Sequence, residues 1–153
     1  MATRRNRFQT IIGTKTKGKV RFKRQVMLLP VDTRMVDLLQ ELGFKVTAPK
    51  TVNGISGMEH TFDMYATKDN DQLVLDSVIA PAEVGPEAVA EFFAKVVDVK
   101  PTRAILISTS NLTPAGQKLS AMYKIETITG TQIDEITKKL RLSLTSNITA
   151  KTA

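Results

Sequence analysis

Apolar positions along this chain follow two rhythms. Met35, Leu38, Leu39 and Leu42 recur at i, i+3, i+4 and i+7, the spacing of one helix face, with Asp32 or Thr33 placed to cap and Gly43 to stop it. Val84 to Val97 repeats that spacing, with Pro86 in the first turn, Glu87 beside it, and Val89, Phe92, Phe93 and Val96 inward. Thr113-Pro114 opens a third helix with Leu119 and Met122 inward, and Thr131 with Asp134 forms a capping box for a last helix through about Leu140. Between the helices lie short extended runs. Phe44 to Ala48 reads as a strand, Pro49 and Asn53-Gly54 as breaks, and Thr61 to about Ile79 as a hairpin. Arg103 to Ser108 is an apolar, β-branched run of buried-strand length, and Ile125 to Thr129 is a further strand.

The order α-β-β-β-α-β-α-β, closed by one more helix, predicts an α/β fold: a central mixed sheet flanked by helices. Residues 25–142 form that domain, and 143–153 are expected to be a polar, frayed C-terminal tail.

The hairpin's register follows from its polar turn, Lys68-Asp-Asn-Asp71. If Thr67 faces Gln72, then Ala66 meets Leu73, Tyr65 meets Val74, Met64 meets Leu75, and Asp63 meets Asp76. Side chains directly opposed on an antiparallel pair have Cβ atoms about 4.5 to 5.5 Å apart. Two carboxylates so placed repel unless a cation lies between them or one is protonated. Period two also puts Val78 on their face.

Charge changes the picture at the N-terminus. The net charge is +7. Residues 1–24 hold Arg4, Arg5, Arg7, Lys15, Lys17, Lys19, Arg21, Lys23 and Arg24 and no acid, while the other 129 residues carry 13 basic and 15 acidic side chains. Val20 and Phe22 alternate with basic residues after a Lys17-Gly18 turn, the pattern of a basic β-ribbon, and Gln25 to Leu29 is an apolar run that could continue its second strand before Pro30. Nine such charges, with Phe8 and Phe22 interleaved, suit phosphate neutralisation and counterion release on a nucleic acid; a merely solubilising tail is the alternative.

Composition excludes more than it selects. With 153 residues, 42% hydrophobic, the chain suits one domain. It has no cysteine, so it builds neither disulfides nor thiolate metal sites, and the expectation is a cytoplasmic protein. No apolar run approaches the roughly 20 residues of a membrane span, so no membrane partner is expected. The single histidine, His60, reads as a packing or capping residue, and Gly54, Ser56 and Gly57 as turn chemistry.

The whole order resembles the restriction-endonuclease-like fold, whose nucleases carry a PD-(D/E)xK motif on the central hairpin. Leu38-Leu39-Gln-Glu-Leu-Gly43-Phe-Lys-Val46 is similar to the first helix and strand of Mrr-type restriction endonuclease domains. Arg103-Ala-Ile-Leu-Ile-Ser-Thr-Ser-Asn-Leu-Thr-Pro-Ala115 and Ile125-Glu-Thr-Ile-Thr-Gly130 resemble its later half. The resemblance covers roughly residues 30 to 140. It implies a three-layer fold, DNA as the partner, a homodimer, and Mg²⁺ held by Asp63 and Asp76.

One departure stands out. The family's motif lysine, two residues after the second acid, is replaced by Val78. The first expectation is therefore a non-hydrolytic DNA-binding protein on a degenerate nuclease scaffold. The alternative is a Mg²⁺-dependent endonuclease using Asp63, Asp76 and a relocated lysine. Lys95 is the relocation candidate on the helix after the hairpin, although Glu91, four residues earlier, offers it an ordinary surface ion pair, and Lys45 lies on the first strand. A third reading is a protein-interaction module for a transcription or repair factor.

Overall fold

Asp32 starts the first helix: its carboxylate accepts the Arg34 N–H at 2.9 Å, and α1 (Thr33–Glu41) runs to Gly43, whose φ of +96° suits a residue without Cβ. The structure, a computed structural model, describes residues 32–152, with side chains through 146. The basic arm, its expected ribbon and residues 25–29 lie outside the described residues.

After α1 come β1 (Lys45–Thr47), a small hairpin of β2 (Lys50–Asn53) and β3 (Glu59–Phe62), then the long hairpin of β4 (Met64–Lys68) and β5 (Asp71–Val78). Helix α2 (Pro86–Val99), β6 (Arg103–Ser108), α3 (Pro114–Met122), β7 (Glu126–Thr129) and α4 (Ile133–Thr152) complete the chain. The five-stranded sheet has the order β1-β4-β5-β6-β7, antiparallel from β1 to β5 and parallel from β5 to β7. The α-β-β-β-α-β-α-β order and the mixed sheet flanked by helices are as expected; β2–β3 is an addition in the stretch read as breaks, paired from Lys50↔Phe62 to Asn53↔Glu59.

Period two assigns the two faces of the sheet. Leu73 and Leu75 on β5, with Met64, Ala66, Ile105 and Ile107, face α1 and α4 through Met35, Leu39, Ile136 and Leu140. Val74, with Ala104 and Leu106, faces α2 through Val89 and Phe92, with Leu112 from the loop before α3 and Leu119 of α3 packed in the same cluster. The result is three layers, each side chain fully buried in them contributing about 1.5–3 kcal/mol.

The structure departs from expectation at three places. The last helix does not end near Leu140: it runs on to Thr152, and Leu140 and Leu144, one turn apart, both bury against the α1 side of the core. Its capping bond also comes from Glu135, whose carboxylate accepts the Thr131 N–H at 3.2 Å, and not from Asp134. Met122 is not inward: it is 67% exposed, since Gly116 and Ser120 form the buried side of α3 and Met122 falls about 200° around the helix from Ser120.

Candidate active site

The turn Asp69-Asn70, with Asp69 at φ +56°, closes the long hairpin in the expected register, from Lys68↔Asp71 to Met64↔Leu75. The next pair is Asp63 and Asp76, and here the ladder stops because the chain bends at Asp63 between β3 and β4. Side chains take over from backbone acceptors. The Asp63 N–H donates to Asp76 Oδ1 at 2.8 Å, and the Ser77 N–H donates to Asp63 Oδ2 at 2.8 Å. Each carboxylate thereby orients itself on the other's segment. The two are neighbours as expected, held by a reciprocal clasp and not as a regular ladder pair.

Burial pushes the Asp63 carboxyl above its usual range; the Ser77 N–H opposes that, the Asp76 charge adds to it, and the charge of Lys95 opposes it.

Lys95 is the third member. Its ammonium forms an ion pair with Asp76 Oδ2, donates to the Thr61 carbonyl at 2.7 Å, and lies 4.9 Å from the centre of the Phe62 ring. The expected surface pair with Glu91 is not what it makes: its side chain is 24% exposed and that of Asp76 only 15%. The physical reason is the face that α2 turns to the sheet. Phe92 is buried against Phe62, edge to face at 6.3 Å between ring centres, and Lys95 follows Phe92 at i+3 on the same side. Asp76, two residues from Val74, shares the sheet face that α2 covers. The i+3 relation was visible in the sequence, but Glu91 at i−4 offered Lys95 a nearer partner there.

Val78 stands where period two places it, partly buried against the Phe62 and Val74 cluster. Lys45 is exposed on β1 opposite Thr67 and is not part of the group. Among the described residues no three Asp, Glu or His side chains cluster as a metal site. Asp32 is spent on capping α1, and Asp37 is at the surface.

His60, expected to pack or cap, instead meets a carboxylate of α2, and the Gly54–Gly57 turn is hydrogen-bonded within itself and to the same residue. His60 Nε2 lies 2.7 Å from Asp98 Oδ2, the Ser56 N–H donates to Asp98 Oδ1, and the Gly54 and Gly57 N–H groups bond to carbonyls within their own turn. Thr109 and Ser110 likewise stitch the loop after β6 to Ala80, with Ser110 Oγ donating to the Ala80 carbonyl at 2.6 Å. A cavity of about 430 Å³ opens among the loops that follow β5, β6 and β7, lined by Glu83, Ser110, Asn111 and Lys139 among others. Among the described residues, no helix is long and apolar enough to cross a membrane.

No curated protein sequence matches the chain. Among solved structures, the crystal structure of a protein of unknown function, AF1548, superposes with a TM-score of 0.56 at 19% identity, covering 63% of this chain and 54% of that one. The apo form of EndoMS gives a TM-score of 0.39 at 19% identity, covering 63% of this chain and 44% of that one. The chain thus spans about half the length of the structures it matches. The first likeness is one of fold. A family model described as restriction endonuclease, of the Mrr catalytic type, matches residues 32–137, and the chain belongs to that family.

Proposed function

We propose that the protein is a Mg²⁺-dependent endonuclease acting on DNA, in which Lys95 of α2 takes the place of the motif lysine that Val78 displaces. The observation that carries this reading is the ion pair between Lys95 and Asp76. It returns an ammonium to the carboxylate pair from a different element.

The residues fit a divalent ion. Two carboxylates face one nearby ammonium, a local excess of negative charge; burial first, and then the Asp76 charge, push the Asp63 carboxyl upward. Asp63 Oδ2 and Asp76 Oδ1 are occupied by backbone N–H groups, which leaves Asp63 Oδ1 and the lysine-paired Asp76 Oδ2 as ligand oxygens. Mg²⁺ suits so small a protein ligand set because it keeps several waters and shares substrate phosphate oxygens. Bound there, it would lower the pKa of a water and offset charge on the phosphodiester.

The chain's own groups do the rest. The reciprocal N–H bonds hold both carboxylates in one orientation. Of the three N–H donors of Lys95, Asp76 and the Thr61 carbonyl engage two, leaving a third for a phosphate oxygen or the attacking water. An ammonium placed there stabilises the negative charge that builds on phosphate oxygens in the transition state. The basic residues of the arm, Arg4 to Arg24, neutralise phosphates along the duplex and supply affinity.

A second reading, a DNA-binding protein without hydrolysis, is favoured by Val78 and by the way both carboxylates are satisfied through backbone N–H groups. Incubation of plasmid or branched DNA with Mg²⁺ or Mn²⁺ separates the two. Cleavage lost in both Asp63→Ala and Asp76→Ala supports the nuclease; binding without cleavage supports the scaffold.

A further inference from the structure

Helix α2 directs a second charged side chain at the same small hairpin. Asp98 follows Lys95 at i+3, so the two share one side of the helix. Lys95 reaches the Thr61 carbonyl on β3. Asp98 holds the other end of that hairpin. Its Oδ1 accepts the Ser56 N–H at 2.8 Å, its Oδ2 accepts the Ser56 hydroxyl at 2.6 Å and meets His60 Nε2 at 2.7 Å, and its backbone carbonyl accepts the Ile55 N–H at 2.9 Å. Gly54 makes the close approach feasible: a Cβ there would lie 2.0 Å from Asp98 Oδ2.

Little else fastens this tip. Ile55 is 73% exposed and Met58 62%, so the turn has no apolar side chain anchoring it to the core. The base of the hairpin is fixed by Phe62 against Phe92. Between base and tip, Val52, opposite His60, packs against the core cluster of α2, and the polar contacts of Asp98 fix how β3 and the turn sit on that helix. That strand supplies the Thr61 carbonyl to Lys95 and leads directly into Asp63.

We propose that Asp98 is a positioning residue for the candidate active site: by clasping Ser56 and His60 it sets β3 against α2, and so seats the Lys95 ammonium between Asp76 and the Thr61 carbonyl. The catalytic consequence rests on the nuclease reading. The seating of Lys95 does not.

The test uses the full-length chain and two readouts, the NMR signal of the Lys95 ε-methylene and ammonium, and steady-state cleavage of plasmid DNA with Mg²⁺. In Asp98→Ala the Lys95 signal is expected to move to that of a solvated lysine, with kcat falling about 100-fold and KM unchanged, as for a catalytic group displaced by about an ångström. Gly54→Ala, which pushes the clasp apart without removing a polar group, is expected to do the same. His60→Gln keeps a donor toward Asp98 and is expected to retain the native Lys95 signal, whereas His60→Ala shifts it. An unchanged Lys95 signal in folded Asp98→Ala and Gly54→Ala overturns the proposal. Should Asp98→Ala not fold, Gly54→Ala and the two His60 variants decide by the same criterion. If the unaltered protein cleaves nothing, the nuclease reading fails and the NMR signal alone decides whether Asp98 seats Lys95.

Discussion

The Lys95 ammonium on α2 and the Asp76 carboxylate on β5 form an ion pair over the sheet face on which position 78 carries valine. One positive charge thus reaches the carboxylates from a helix instead of from their own strand. If the two origins are interchangeable, moving the charge back restores function. The double variant Lys95→Ala/Val78→Lys is expected to cleave DNA at least about tenfold faster than Lys95→Ala alone, a difference of about 1.4 kcal/mol in the barrier. Equal rates for the two variants would separate position 78 from the catalytic face.

Two aspartates give the stability curve opposite slopes. Hydrogen bonds from the Ser56 hydroxyl and N–H, and then from His60, lower the Asp98 carboxyl from 3.8 to about 2. A depressed folded-state value means stability present above pH 3.8 and lost as pH falls toward about 2. Asp63 behaves in reverse: burial raises it above 3.8, so the folded state binds the extra proton and stability falls as pH rises through that range. Denaturant titrations from pH 2 to 7 are expected to show that Asp98→Asn flattens the acid limb and Asp63→Asn removes the loss above it. Identical limbs in all three proteins would contradict these assignments.

The arm makes a prediction in salt. Each phosphate neutralised contributes about 0.9 to the slope of log K against log salt, so deleting residues 1–24 is expected to reduce that slope by up to about 8 and to leave the thermal midpoint unchanged. A slope that does not move takes the arm out of DNA binding.

The extended last helix predicts a stability effect far from the site. Leu144 is 2% exposed and packs with Leu140 against the α1 face. Leu144→Ala is expected to cost about 2–5 kcal/mol in denaturant unfolding, as for a buried leucine anywhere in a core. A loss below about 0.5 kcal/mol, the range of surface substitutions, would place that part of α4 outside the folded unit.

The scaffold was readable because its signals are local. Apolar spacing placed α1 and α2, and the Lys68 to Asp71 turn set the β4–β5 register down to Met64↔Leu75. What escaped depended on contacts between distant segments. The bend at Asp63 arises from hydrogen bonds to residues 13 and 14 positions away, and the β2–β3 hairpin is held by Asp98, some forty residues on from Ser56. Leu144 alternates with Leu140 and Leu142 among polar residues, and the burial of Leu140 and Leu144 but not of Leu142 follows only once α1 lies beside the helix. Lys95 is the instructive case: Glu91 at i−4 offered it a local partner, and the choice between Glu91 and Asp76 was settled by which side of α2 faces the sheet. The arm's nine charges were evident from composition alone.

We propose that Lys95 completes a nuclease site around Asp63 and Asp76, and the most direct test is the rate of Mg²⁺-dependent cleavage of supercoiled or branched DNA by the unaltered protein and by Lys95→Ala, with binding affinity measured in parallel. Loss of one preorganised electrostatic donor predicts a fall of about 100- to 1,000-fold in rate with affinity unchanged. DNA bound but never cut by the unaltered protein, or cut equally fast by Lys95→Ala, would contradict the claim.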